Sequence, residues 1–138
     1  MRYLVDTNIL SEMRYAQSGN PGVWQWSNSV PIRDLVTSVL CIMEVERGIV
    51  AIEHKDPAFH RVLRNWFTAT LLPAYEGRIF DVDDAVGYQY ARMAPRRTIR
   101  DIDVLIAATA LVHGLTVVTR NERDFAPLGV SLLNPWSD

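Results

Sequence analysis

Short apolar runs that stop at small polar or acidic residues alternate along this chain with longer stretches of helical period. Tyr3-Leu4-Val5 is one such run; it ends at Asp6-Thr7-Asn8, residues suited to cap a helix that continues from Ile9 to Arg14. Ser18-Gly19-Asn20-Pro21-Gly22 breaks the pattern, and Pro21 can start the next helix, Val23 to Val30. Leu35-Val36-Thr37 predicts a second strand, after which Ser38 caps a helix to about His54. Asp56-Pro57 closes that helix and opens another, Ala58 to Leu72, with Val62, Leu63, Trp66 and Phe67 at helical spacing and Pro73 as its stop. Ile79 to Val82 predicts a third strand, and Asp83-Asp84 begins a helix towards Pro95, the acids suiting its positive end. Val104 to Val112 has no polar face, which predicts a helix buried on most sides and stopped by Gly114. Leu115 to Thr119 predicts a buried strand, Arg120 to Phe125 a loop or single helical turn, and Val130 to Leu133 an edge strand. Strands alternating with helices imply an α/β fold, a central parallel sheet flanked by helices on both faces. Without a repeat, low-complexity segment or linker, residues 1–138 read as a single domain.

Composition agrees. A chain of 138 residues, 49% hydrophobic and 22% charged, can bury one ordinary core. The single cysteine, Cys41, excludes an internal disulfide and fits a reducing compartment. Set in Val39-Leu40-Cys41-Ile42-Met43, it reads as a buried small hydrophobe. Regular structure begins at once and carries Asp6, so no secretory signal is expected. The longest uncharged stretch, Val104 to Thr119, falls short of the ~20 residues of a membrane helix. The expected location is the cytoplasm.

A net charge of −2 points to no polyanionic partner. The positive charge is nearly all arginine, however, with Lys55 the sole lysine and Arg92, Arg96, Arg97 and Arg100 crowded together. Arginine pairs bidentately with phosphate and carboxylate, so the cluster suits a phosphate backbone or an acidic partner, or it is a solvated helix end. Trp24 and Trp26, two apart, cannot share a helix face; one is expected in the core and the other partly exposed. Tyr88 and Tyr90 are expected to pack half-buried, and His54 and His60 to lie at the surface.

The acids carry more information. Asp6 sits at a strand end, where open α/β sheets bind ligands, but it also suits a helix cap. Asp103 lies in the first turn of an otherwise apolar helix, a costly position unless the carboxylate is paired, capped or bound to metal. Thr98 to Asp101 has the form of a capping box, and Asp101 and Asp103 diverge by roughly 200° on a helix, so Asp101 is assigned to the cap and Asp103 to a site. Asn121 and Asp124 follow a strand as a local cap or as part of a site; if the first and fourth strands are neighbours, Asp6 and Asp124 meet. Glu44 and Glu46 share one helix, and periodicity does not choose between them, although Gly48, one turn beyond Glu44, would admit a close neighbour.

The blocks Tyr3-Leu4-Val5-Asp6-Thr7-Asn8-Ile9-Leu10-Ser11, Ser38 through Glu44-Val45-Glu46-Arg47-Gly48, Asp103-Val104-Leu105-Ile106-Ala107-Ala108 and Thr119-Arg120-Asn121-Glu122-Arg123-Asp124-Phe125 resemble the motifs of PIN-domain nucleases. More narrowly, they are similar to the VapC-type toxins of toxin–antitoxin pairs. The resemblance implies a PIN-like three-layer sandwich and an acidic quartet of Asp6, Glu44, Asp103 and Asp124, with Thr7, Thr119 and Asn121 as polar supports. It favours Glu44 over Glu46, because the family places its helix acid four residues before a glycine. It also implies a homodimer neutralised by a small antitoxin, the complex binding its own promoter DNA.

Clustered carboxylates repel one another, and a divalent cation relieves that repulsion. Oxygen ligands without a nearby histidine favour Mg²⁺ or Mn²⁺ over zinc. Asp6 and Asp103 are the expected direct ligands, with Glu44 and Asp124 binding through water or orienting a nucleophile. The expected reaction is metal-assisted hydrolysis of RNA, with Arg96, Arg97, Arg100, Arg120 and Arg123 meeting the phosphates. Cys41 has no adjacent histidine, and no Gly-x-Ser-x-Gly elbow supplies another nucleophile. A phosphatase would need a second acid where Asn8 stands. An RNA-processing or DNA-directed PIN nuclease, or a mainly regulatory partner in an antitoxin–DNA complex, are the competing readings.

Overall fold

The computed structural model describes residues 1–93 and 99–138; Arg96, Arg97 and Thr98 lie outside them. Five strands, β1 (Tyr3–Val5), β2 (Leu35–Ser38), β3 (Ile79–Phe80), β4 (Thr116–Val118) and β5 (Leu132–Leu133), form one sheet in the order β3-β2-β1-β4-β5. Every pairing is parallel, with Leu4 opposite Val36 on one side and Val117 on the other. Leu4, Val5, Leu35, Val36, Val117 and Val118 are all buried, as continuous apolar strands covered on both faces should be.

The helices are α1 (Thr7–Met13), α2 (Pro21–Ser29), α3 (Val39–Ala51), α4 (Pro57–Trp66), α5 (Leu72–Ala74), α6 (Asp84–Met93), α7 (Asp101–His113) and α8 (Glu122–Phe125). α1 packs on α2 and α3, and α3 on α4, while α6 packs on α7 and α7 on α8. With right-handed crossovers the first set covers one face of the sheet and the second set the other. The chain runs outward from β1 through β2 to β3, then crosses back to β4. The sheet therefore reverses direction between β1 and β4, the switch point at which such folds open a crevice.

Local chemistry explains most boundaries. Asn20 accepts the N–H groups of Gly22 and Val23 ahead of Pro21, and the Ser38 hydroxyl accepts Leu40 N–H, starting α3 after β2. Gly114 ends α7 at φ 65°, a left-handed conformation that a side chain disfavours. The helix expected from Ala58 to Leu72 is continuous but widens to a π-turn over Phe67–Leu71, where Leu72 N–H bonds the Phe67 carbonyl. Pro73 has no N–H to give the Ala69 carbonyl, and the wider turn accommodates its ring.

α7 begins at Asp101 with Arg100 in the N-cap position, and Asp101 accepts the Tyr90 hydroxyl at 2.7 Å; the capping box expected from Thr98 lies outside the described residues. One expectation fails. Tyr88 is 64% exposed, because on α6 it points opposite to the buried Val86. Trp24 is 37% exposed while Trp26 packs edge-on against Tyr3, the division of labour their spacing requires. His113 stacks on Phe80 at 4.1 Å, a structural contact.

Candidate active site

Asp6 leaves β1 as the N-cap of α1. Its Oδ1 accepts Thr7 N–H at 2.8 Å, so the cap reading is correct as far as it goes. The other oxygen accepts the Thr119 hydroxyl at 2.8 Å and Asn8 Nδ2 at 3.3 Å, which ties the end of β1 to the end of β4. Asn8 Nδ2 also reaches Thr119 Oγ1 at 3.2 Å, and its Oδ1 accepts Arg120 N–H at 3.1 Å. Asn8 thus stitches the two strands across the switch point, a role invisible in a sequence where it looks like part of a turn. Cys41 is buried as expected, but its Sγ lies 3.8 Å from Asp6 Oδ1 and donates to it. Burial, then the charge of Asp6, pushes the thiol's pKa up, so Cys41 stays neutral.

Three of the four predicted acids converge. The Thr7 hydroxyl donates to Glu44 Oε1 at 2.7 Å, fixing the α3 carboxylate beside α1. Asp103, in the first turn of α7 with its side chain 1% exposed, is held by Arg100 through Nε at 3.2 Å and Nη2 at 2.9 Å. The same guanidinium gives Nη1 to Glu44 Oε2 at 3.2 Å. Burial raises the pKa of Asp6; hydrogen bonds from Thr119 and Thr7 work the other way, and the charges of Asp103 and Glu44 add to the rise. Asp124 stands one step further out. Asn121 Nδ2 holds its Oδ2 at 3.0 Å, and Asn121 N–H bonds the Thr119 hydroxyl at 2.9 Å, so it joins Asp6 through two intermediaries. Asn121 occupies the N-cap position of α8 without capping through its side chain.

Glu46 turns away and pairs with Arg64 on α4, Nη1 at 2.5 Å and Nη2 at 2.8 Å. The choice between the two glutamates is thereby made by tertiary contact. Among the arginines, Arg100 turns its guanidinium onto Glu44 and Asp103 while its side chain stays 58% exposed. Arg120 lies over the Trp136 ring at 4.1 Å, Arg123 is exposed, and Arg96 and Arg97 are outside the described residues.

Among the described residues no three of the histidine, cysteine, aspartate and glutamate side chains lie close enough to grip an ion as they stand. Arg100 already supplies positive charge between Glu44 and Asp103. The donor set itself is hard oxygen from Asp6, Glu44 and Asp103, and Mg²⁺ needs only one or two carboxylates plus water. From Thr7 and Glu44 a cleft of about 310 Å³ runs along α1, α3 and α4 past Gly48, Tyr15, Phe59 and Trp66. A Cβ added to Gly48 would meet open space, so this glycine widens the cleft.

A family model described as PIN domain matches residues 3–129. The chain is 32% identical over 140 residues to Toxin FitB of Neisseria gonorrhoeae, covering 98% of this chain and 99% of the relative. It is 33% identical over 140 residues to the VapC ribonuclease Y4jK of Sinorhizobium fredii, with 96% of each covered. Among solved structures, it superposes on a chain of FitAB bound to an IR36 DNA fragment with a TM-score of 0.87, at 30% identity over 99% of this chain and 96% of that one. The motif order, the acids gathered at the β1/β4 switch point and these likenesses agree: the chain belongs to the PIN-domain family, among its VapC-type toxins.

Proposed function

We propose that the protein is the endoribonuclease toxin of a toxin–antitoxin pair, acting in the cytoplasm with Mg²⁺ or Mn²⁺. The observation that carries this reading is the convergence of Asp6, Glu44 and Asp103 from three separate elements onto one end of the sheet. A divalent cation held by Asp6 and Asp103 would supply an activated water and charge neutralisation at the phosphate. Thr119 and Asn8 orient Asp6, Thr7 orients Glu44, and Asn121 orients Asp124. Glu44 or Asp124 takes the proton of the attacking water; the water oxygen joins phosphorus, the bond to the departing sugar oxygen breaks, and that oxygen gains a proton. Arg120 and Arg123 contact the RNA backbone. The partners are a second copy of this chain and a small antitoxin, through which the complex reaches promoter DNA; the similar FitAB complex is bound to an IR36 DNA fragment.

The test is cleavage of an oligoribonucleotide and its DNA counterpart by the purified protein, with Mg²⁺ and with a chelator. Asp6→Asn and Asp103→Asn are expected to lose about 100-fold or more in RNA cleavage while melting as folded proteins. Full Mg²⁺-dependent cleavage by either variant would remove the assignment, and cleavage of DNA alone would redirect it to a DNA-directed PIN nuclease.

A further inference from the structure

Every nitrogen of the Arg100 guanidinium is engaged by an acid of the site. Nε and Nη2 fork onto the two oxygens of Asp103, and Nη1 takes Glu44 Oε2. With Thr7 on Glu44 Oε1, each oxygen of both carboxylates has a donor. The pairing joins α7 to α3, two elements far apart in sequence. Its two ends are unequal: the Asp103 side chain is 1% exposed, while that of Arg100 is 58% exposed. A buried carboxylate is costly without a partner, so a positive group belongs beside Asp103 at all times. Arg100 supplies it from the solvent side and can swing out with little desolvation, whereas Asp103 cannot move.

Resting on the metal-dependent reading above, we infer that Arg100 is a built-in counter-cation that competes with the divalent ion, so its guanidinium must leave Glu44 and Asp103 before the site loads. A metal ion binds carboxylate oxygen at about 2.0–2.1 Å, and a guanidinium that occupies one lone pair on each Asp103 oxygen both takes up that side of the carboxylate and repels a second cation placed beside it. The affinity of the site for metal is therefore set by the acids and reduced by the work of displacing the arginine. Loading exchanges one positive partner of Asp103 for another.

Mn²⁺ binding to the metal-free protein, read by electron paramagnetic resonance, tests this without recourse to activity. Arg100→Gln is expected to bind Mn²⁺ about tenfold more tightly than wild type, with Arg100→Lys between them, since lysine keeps the charge but loses the fork. Arg100→Gln is also expected to melt lower than wild type without metal and to gain more from Mn²⁺. Equal or weaker Mn²⁺ affinity in folded Arg100→Gln overturns the inference while leaving the metal site intact, provided Asp103→Asn still abolishes binding. If neither wild type nor variant binds Mn²⁺, the metal-dependent reading falls and takes this inference with it. Should Arg100→Gln fail to fold, the Nε–H resonance of Arg100 in wild type must shift as Mg²⁺ is added; an unmoved signal at saturation overturns the competition.

Discussion

Thr119 does more at the site than its neutral side chain announces. Its hydroxyl donates to Asp6 and accepts from Asn8 Nδ2 and Asn121 N–H, so one buried oxygen connects the first acid to the holder of the last. Thr119→Val keeps the shape and deletes all three bonds. Groups that orient metal ligands typically contribute 10–100-fold, and cleavage or metal affinity is expected to fall by about that factor. Stability should drop by about 1–3 kcal/mol, because Asn8 and Asn121 lose a partner in a partly closed site. Single-turnover cleavage and thermal melts of the variant measure the two effects separately; unchanged cleavage with a lowered melting temperature would make Thr119 a purely structural residue.

Helix α3 shows how an element sorts its side chains. Glu44 and Glu46 differ by roughly 200° around the axis, so one reaches the acids while the other reaches Arg64 on α4. Arg64 holds Glu46 below its ordinary pKa of 4.5, with burial opposing slightly. A carboxylate with a depressed pKa adds stability above its unfolded value and loses it as pH falls through the folded one. Glu46→Gln is accordingly expected to lower the melting temperature slightly near neutrality, and the difference from wild type to vanish at acid pH. Both partners are more than a third exposed, so the effect is small and screened by salt. RNA cleavage should be unchanged, in contrast to Glu44→Gln. A pH series of melts for wild type and Glu46→Gln, with cleavage assays beside it, checks both halves. At the centre of the sheet, Leu4→Ala removes a fully buried side chain between β2 and β4 and should cost about 2–5 kcal/mol in denaturant unfolding.

Over the whole molecule, the C-terminal segment is stitched back onto the start of α2. Asn20 donates to the Ser137 carbonyl at 2.8 Å, accepts Ser137 N–H at 3.0 Å, and Gly22 N–H donates to Ser137 Oγ at 3.0 Å. A Cβ on Gly22 would sit 2.2 Å from the Pro135 carbonyl oxygen, a backbone atom that cannot give way cheaply. Gly22→Ala is therefore expected to cost about 1–3 kcal/mol and to free the tail, seen as faster proteolysis after Leu133. The tail also carries Trp136 under Arg120, so its release should disturb that side of the site. RNA affinity, if Arg120 and Arg123 carry phosphate contacts, must fall as salt rises, and Arg120→Ala with Arg123→Ala must flatten the slope; a salt-independent affinity would exclude them.

The alternation of strands and helices, the burial of β1 and β4, the capping by Asp6 and Ser38 and the stop at Gly114 were all legible in the sequence, because each depends on residues a few positions apart. So was the oddity of Asp103, since a carboxylate in an apolar helix is anomalous whatever surrounds it. The family resemblance brought Glu44 forward. What local pattern could not supply was any contact across the chain: Asn8 bonding Thr119, Thr7 holding Glu44, Glu46 spending its charge on Arg64, Asp124 linked to Asp6 only through Asn121 and Thr119. Arg100 is the sharpest case. By sequence it was one arginine in a basic cluster beside a capping box. Once α7 packs beside α3, a buried Asp103 and a nearby Glu44 offer it two carboxylates at hydrogen-bond distance, and charge pairing draws its guanidinium onto both while its side chain keeps contact with solvent. Sequence determined which elements form and which acids are out of place; the tertiary structure alone decided which charges face one another, because that depends on strand order and helix contact, quantities that no short stretch of chain contains.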